Sequence, residues 1–322
     1  MNLKYQILLF YCYTKINNPE KFREEHHLFC IENNIRGRII ISSEGINGTV
    51  SGKIEDCKKY MNNFKKNILF KNLEFKVDNY NSNAFQKIHV RLKNEIVNSN
   101  IQNIDVLNKS GKYIEPREFK KILNNKPKDT YILDVRSNYE HEIGKFKNAI
   151  TLDLENFRFF SDKIDEIEKK IDKSKKIITY CTGGIKCEKA SAFLINKGYK
   201  NVYQLHGGII KYGLEEDGEN FHGKCYVFDN RIVKDINKIN PTVISKCLVT
   251  GEKTDRMVNC ANADCNKHFT LSEKGSEKFK GCCSKECMLS PNIRKYDGTG
   301  FYQRNMNGYN PLIGAKNKSR TI

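Results

Sequence analysis

The 322-residue sequence predicts a mixed α/β protein in three parts, and three observations predict it. Strand-like and helix-like segments alternate between residues 114 and 222, which implies a mainly parallel sheet with helices on both faces. Before it, residues 1–98 show hydrophobic patterns in the order β-α-β-β-α-β. After it, residues 223–322 are basic, poor in long periodic segments, and hold six cysteines between positions 247 and 287, half of the chain's 12.

The elements follow in order. Residues 5–13 are apolar and aromatic and read as a strand; 18–32 carry helical spacing; 37–51 read as strand, glycine turn and strand. An amphipathic stretch at 54–66 precedes strand candidates at 73–78 and 87–92, giving the order of a ferredoxin-like (acylphosphatase-like) α+β sandwich. Gly45 and Gly48, flanking Ile46-Asn47, are read as turn punctuation. An Asn-rich linker covers 99–113. The central domain, 114–222, is then expected to contain helices at 116–123, 163–171 and 186–197 and strands at 130–135, 149–154, 176–180 and 202–205. Ligands of such sheets gather at the C-terminal ends of the strands.

Composition sets the limits. With 39% hydrophobic residues the chain can bury a core, which excludes a wholly disordered protein. Its apolar runs are far shorter than the roughly 18 to 20 residues of a membrane span. The N-terminus passes directly into the first strand pattern without a signal-peptide plan, so a cytoplasmic protein is expected. The formal charge is +18, from 56 Lys+Arg against 38 Asp+Glu. The middle stretch is nearly balanced while both flanks are positive, the layout of a chemical centre between surfaces that hold a polyanion. Lysine-rich drift spread unevenly over the surface is the plainer alternative.

The most informative segment is Thr179-Tyr180-Cys181-Thr182-Gly183-Gly184-Ile185-Lys186-Cys187-Glu188-Lys189. An apolar strand ends on Cys181, Gly183 and Gly184 form a tight turn, and a helix begins near Lys186. A cysteine there faces free backbone N–H groups and the positive end of a helix, and both stabilise a thiolate. Lys186 and Lys189 add positive charge. Such a thiolate is a nucleophile, and the same cradle would hold the outer sulfur of a persulfide. The alternative is a small buried residue at a strand end. Cys187, six positions on, is either a resolving thiol, a disulfide partner for Cys181, or helix packing.

This segment resembles the rhodanese superfamily, together with Ile132-Leu133-Asp134-Val135-Arg136, Gly144-Lys145-Phe146-Lys147-Asn148-Ala149 and Val202-Tyr203-Gln204-Leu205-His206-Gly207-Gly208-Ile209. The resemblance implies a rhodanese-like sheet in which Cys181 takes up a sulfane sulfur, with Asp134 and Arg136 as fold-stabilising neighbours of the loop. Adding Ser42-Ser43-Glu44-Gly45-Ile46-Asn47-Gly48-Thr49 and Asn259-Cys260-Ala261-Asn262-Ala263-Asp264-Cys265, the chain resembles the bacterial tRNA uridine(34) hydroxylase family. That resemblance implies O2-dependent hydroxylation of the wobble uridine to 5-hydroxyuridine, with O2 as co-substrate, an electron donor outside the recognised motifs, and the tRNA anticodon loop as partner. The family usually has Arg where this chain has Lys186, which keeps the charge but loses the planar fork.

In the tail, Cys247, Cys260, Cys265, Cys282, Cys283 and Cys287 are candidate metal ligands, and four thiolates would suit Zn²⁺. Cys-x-x-Cys is absent, and relatives carry further cysteines near 249–251 and 271–275, so a reduced, packed cysteine cluster is the competing expectation. The sequence has no Gly-x-Gly-x-x-Gly at a βαβ unit, no Walker loop and no evident two-His-one-carboxylate set. Oxygen activation is left to a cysteine-based redox step or an exchangeable cofactor. A sulfurtransferase or persulfide carrier, with tRNA incidental, is the competing function, and a silent interaction module is the third.

Overall fold

The computed structural model of the protein describes residues 3–125 and 127–294. The basic stretch 295–322 of the expected C-terminal region lies outside the described residues. Described residues group into two compact units: those up to Ser137 with Ala149–Glu216, and Asn138–Asn148 with those from Asp217 onward.

The first unit begins with β1 (Tyr5–Tyr13), α1 (Pro19–Glu32), β2 (Arg36–Ser42), β3 (Gly45–Lys53), α2 (Ile54–Lys65), β4 (Glu74–Tyr80) and β5 (Ile88–Leu92). The sheet order is β4-β1-β3-β2-β5; β1, β2, β3 and β4 pair antiparallel and β5 adds in parallel beside β2. This is the predicted sandwich with one strand added. Side chains alternate across a strand, so Leu8, Phe10 and Cys12 of β1 join Cys30 of α1 and Cys57, Tyr60 and Phe64 of α2 in one apolar core. Leu9, Tyr11 and Tyr13 point to the opposite face. Gly45 is a turn glycine as expected: paired with Ser42, it closes the two-residue turn Ser43-Glu44 of the β2–β3 hairpin at φ +142°, with an added Cβ 2.0 Å from the Cys12 carbonyl oxygen. Gly48 is not, contrary to the expectation: it lies inside β3, where an added Cβ would stand 2.7 Å from the Phe10 ring. Close packing, not chain reversal, selects glycine at position 48.

The chain continues through β6 (Lys112–Ile114), α3 (Pro116–Asn125) and β7 (Thr130–Asp134), then α4 (Asn138–Ile143) and β8 (Gly144–Phe146), which belong to the second unit. It returns in β9 (Ile150–Thr151), α5 (Ile164–Lys170), β10 (Lys176–Tyr180), α6 (Ile185–Asn196), β11 (Asn201–Leu205) and α7 (Gly208–Glu215). The sheet order is β6-β11-β10-β7-β9 with every pairing parallel. On one side Cys187, Ala190, Phe193 and Leu194 of α6 and Ile167 of α5 pack with Leu133 and Ile177. Elsewhere Phe119 of α3 meets Tyr212 of α7, ring to ring at 5.8 Å. The strand expected over 149–154 is only two residues long. Leu152 and Leu154 are buried from irregular backbone, and their apolar character imitates a strand.

The second unit has more order than its sequence implied. β12 (Phe221–Tyr226) pairs antiparallel with β8 and with β13 (Val233–Asp235), and Phe146 and Phe221 stack edge to face at 5.2 Å. A hairpin of β14 (Met257–Asn259) and β15 (His268–Thr270) is followed by α8 (Glu273–Phe279) and α9 (Lys285–Met288). No helix among the described residues is long and apolar enough to cross a membrane.

Candidate active site

The central strand β10 delivers Cys181 to its C-terminal end, as the topology requires of a reactive group. Gly184 adopts φ +103°, which turns the chain back so that its N–H donates to Cys181 Sγ at 3.2 Å. Two further amides hold the loop's carbonyls: Ile209 N–H donates to Cys181 O and Ile210 N–H to Thr182 O, each at 3.0 Å. These donors reach the loop only because Gly208 lacks a side chain. At its φ of +66°, a Cβ would stand 2.5 Å from Cys181 O and 2.8 Å from Thr182 O.

Cys181 is 1% exposed. Burial alone would push its thiol up, yet the Cys187 thiol, the Lys186 charge and the N–H groups of Cys187 and Gly184 outweigh it, so the group ionises below the ordinary thiol range. Cys187 moves the opposite way: its own burial and the neighbouring Cys181 sulfur push its thiol well up, leaving it a protonated donor. The pair divides into one thiol that ionises readily and one that holds its proton.

The loop is roofed by the N-terminal sheet. Leu9 lies within 2.8 Å of where a Gly183 Cβ would stand, and the Tyr11 hydroxyl within 2.8 Å of the same point at Gly184. Tyr11 OH donates to Glu188 Oε1 at 2.9 Å, Tyr113 OH to the same oxygen at 2.6 Å, and Gln204 Nε2 to Glu188 Oε2 at 2.9 Å. Opposite Leu9 in the β-ladder is Lys76, 7% exposed, its ammonium 4.7 Å from the Tyr11 ring centroid. Burial lowers it to about 8, with Lys211 pushing the same way while Glu74, Cys181 and Glu188 resist. Sequence reasoning missed Lys76, Tyr11 and Glu188. Glu74-Phe75-Lys76-Val77-Asp78 alternates polar and apolar like a solvated strand, and nothing local in it shows that the polar face is covered.

The other expected residues fall in distinct places. Lys186 lies 5.9 Å from the Phe157 ring centroid and supplies charge to Cys181. Lys189, read as a second charge for the cysteine, is instead paired with Glu44 at 3.0 Å and Glu95 at 3.2 Å. Asp134 and Arg136 are fully buried and joined by two side-chain bonds, Nε to Oδ1 at 2.9 Å and Nη2 to Oδ2 at 2.7 Å, while Tyr180 OH donates to Asp134 Oδ2. They brace the strand end beneath the loop; removing one partner would strand a buried charge at a cost of about 3–5 kcal/mol.

The six tail cysteines do not form one group. Cys260, Cys265, Cys283 and Cys287 bring their sulfurs within 4.8 Å of one another. Cys247 is excluded from that set: its sulfur accepts the Thr250 N–H at 3.3 Å, and although burial opposes it, bonds from Ser272 and Thr250 lower its thiol to about 7. Cys282 is excluded too, as a core residue packed with Val258, Phe269 and Leu271.

Fold and loop together define a rhodanese-type domain carrying an N-terminal sandwich and a cysteine-bearing C-terminal module. Residues 5–96 match the UPF0176 acylphosphatase like domain, 115–215 the rhodanese-like domain and 222–288 the rhodanase C-terminal domain. The chain is 55% identical to the tRNA uridine(34) hydroxylase of Cytophaga hutchinsonii over 97% of its own length and 99% of that protein. It is 44% identical to that of Bacillus cereus, over 90% and 91%. The chain belongs to the tRNA uridine(34) hydroxylase family.

Proposed function

We propose that this protein hydroxylates uridine 34 of tRNA to 5-hydroxyuridine, with Cys181 as its reactive sulfur. The observation that carries the reading is the Cys181 loop, which sets a buried sulfur at the end of the central strand on the Gly184 N–H, with Cys187 and Lys186 beside it favouring its ionised form. Relatives bearing the hydroxylase name over nearly the whole chain favour this over a sulfur carrier. In the proposed reaction the backbone amides and Lys186 hold the thiolate, Cys187 keeps a proton beside it, and Lys76 exchanges a proton at the roof of the site. O2 is the co-substrate: one of its oxygen atoms is inserted into the C5–H bond of the uracil and the other leaves as water, which takes two electrons and two protons from an external two-electron reductant. The basic flanks take the anticodon stem-loop, where an unpaired wobble base can be splayed out without breaking a pair. A tRNA substrate supports the expected cytoplasmic location.

Mass spectrometry of nucleosides from tRNA incubated with the protein under air and under argon tests the reading. One added oxygen on uridine 34, only in air and lost in Cys181→Ala, is the expected result. Unchanged nucleosides with a persulfide on Cys181 would replace it with sulfur transfer. Cys181→Ala should leave tRNA affinity nearly unaltered, because one small buried group adds little to a polyelectrolyte contact.

A further inference from the structure

The chemistry proposed above does not draw on the four converging cysteines of the C-terminal module. We infer that Cys260, Cys265, Cys283 and Cys287 form a closed structural site for Zn²⁺.

The sulfur geometry is the first argument. Cys283 Sγ lies 3.6 Å from Cys265 Sγ and 3.7 Å from Cys287 Sγ, and no two sulfurs of the four are more than 4.8 Å apart. Four thiolates at about 2.3 Å from a central Zn²⁺ have tetrahedral edges of about 3.8 Å. Two disulfides would instead sort the sulfurs into two pairs. Here Cys283 is almost equally near two neighbours, as the vertex of a tetrahedron must be.

The backbone around them is the second. Cys260 directly follows β14, and the chain from Cys260 to Cys265 forms a tight turn in which Asn262 Oδ1 accepts the Asp264 N–H at 3.0 Å and the Ser290 hydroxyl at 3.1 Å. Cys283 and Cys287, four residues apart, present their sulfurs from just before the N-cap Ser284 and from within α9. The Cys283 N–H donates to Cys260 Sγ at 3.4 Å, as amides do to metal-bound thiolates. Arg294 reaches across with Nη1 on Cys260 O at 2.8 Å and Nη2 on Asn266 Oδ1 at 3.0 Å, placing a cation beside a site whose four thiolates and Zn²⁺ sum to a net negative charge.

The third argument is need. Residues 245–294 comprise two three-residue strands, two short helices and a core of seven buried residues, three of them cysteines. A segment of this size seldom stabilises itself by apolar burial alone, and a metal that ties its hairpin to its last helix supplies the missing link.

Elemental analysis of the purified full-length chain, with native mass spectrometry, tests the site. One equivalent of Zn per chain is expected, retained in Cys181→Ala and in Cys247→Ser and lost in Cys265→Ser, whose cysteine is exposed and least needed for packing. Replacing Zn²⁺ by Co²⁺ in the unaltered protein should give the intense visible bands and thiolate charge-transfer absorption of a tetrahedral four-sulfur site, a readout independent of any variant's folding. Metal-free protein with all four thiols reactive would overturn the inference. So would Zn retained in both Cys265→Ser and Cys283→Ser, or one equivalent of iron in its place.

Discussion

At the scale of single residues, the charge beside Cys181 sets the pH at which the sulfur is ready. Lys186 is one of the groups that lower the Cys181 thiol. Lys186→Ala should therefore move the rising limb of kcat/KM to higher pH, cutting the rate severalfold at pH 7 and restoring it in alkali, while Lys186→Arg keeps the wild-type profile. Lys76 has the opposite sign in the stability of the fold. Its ammonium is held at about 8 against an ordinary 10.5, so the charged form is disfavoured in the folded state. That penalty, about 3 kcal/mol, is full below pH 8 and vanishes as pH rises through 10.5. Lys76→Met should raise the thermal midpoint at pH 7, lose that advantage above pH 10.5, and slow turnover at every pH. Denaturation and rate profiles of the same variant measure both.

At the scale of elements, the strand-turn-helix from β10 to α6 was legible because its chemistry is local: an apolar run, a cysteine, two glycines and a helical pattern occupy consecutive positions. Its cradle was not. The amides of Ile209 and Ile210 come from the start of α7, brought alongside only by the parallel sheet, and Lys76 and Tyr11 come from a different domain. Gly208 carries that long-range fit. Gly208→Ala would push a methyl into three loop atoms at a φ that alanine avoids, so a loss of at least 1 to 3 kcal/mol of stability is expected, with activity falling further than folding explains. Urea denaturation set beside single-turnover rates separates the two. The tail repeats the lesson: six cysteines were visible as candidates, but which four converge depends on how β14, β15 and α9 fold together.

At the scale of the molecule, a chain with a formal charge of +18 that acts on a polyanion should show binding controlled by salt. Between 50 and 200 mM salt the KM for tRNA should rise by a factor of about 10 or more while kcat changes little, with the slope of log KM against log salt counting the phosphates neutralised. A flat response would show that the basic residues lie away from the nucleic acid. The same protein keeps its reactive sulfur only 1% exposed. A reagent too large to pass Leu9 and Tyr11 meets that sulfur only when the roof lifts, so its alkylation becomes a clock. A rate that levels off at high reagent concentration would reveal an opening step and give its frequency; a rate that stays proportional throughout would show that the sulfur is reached without one.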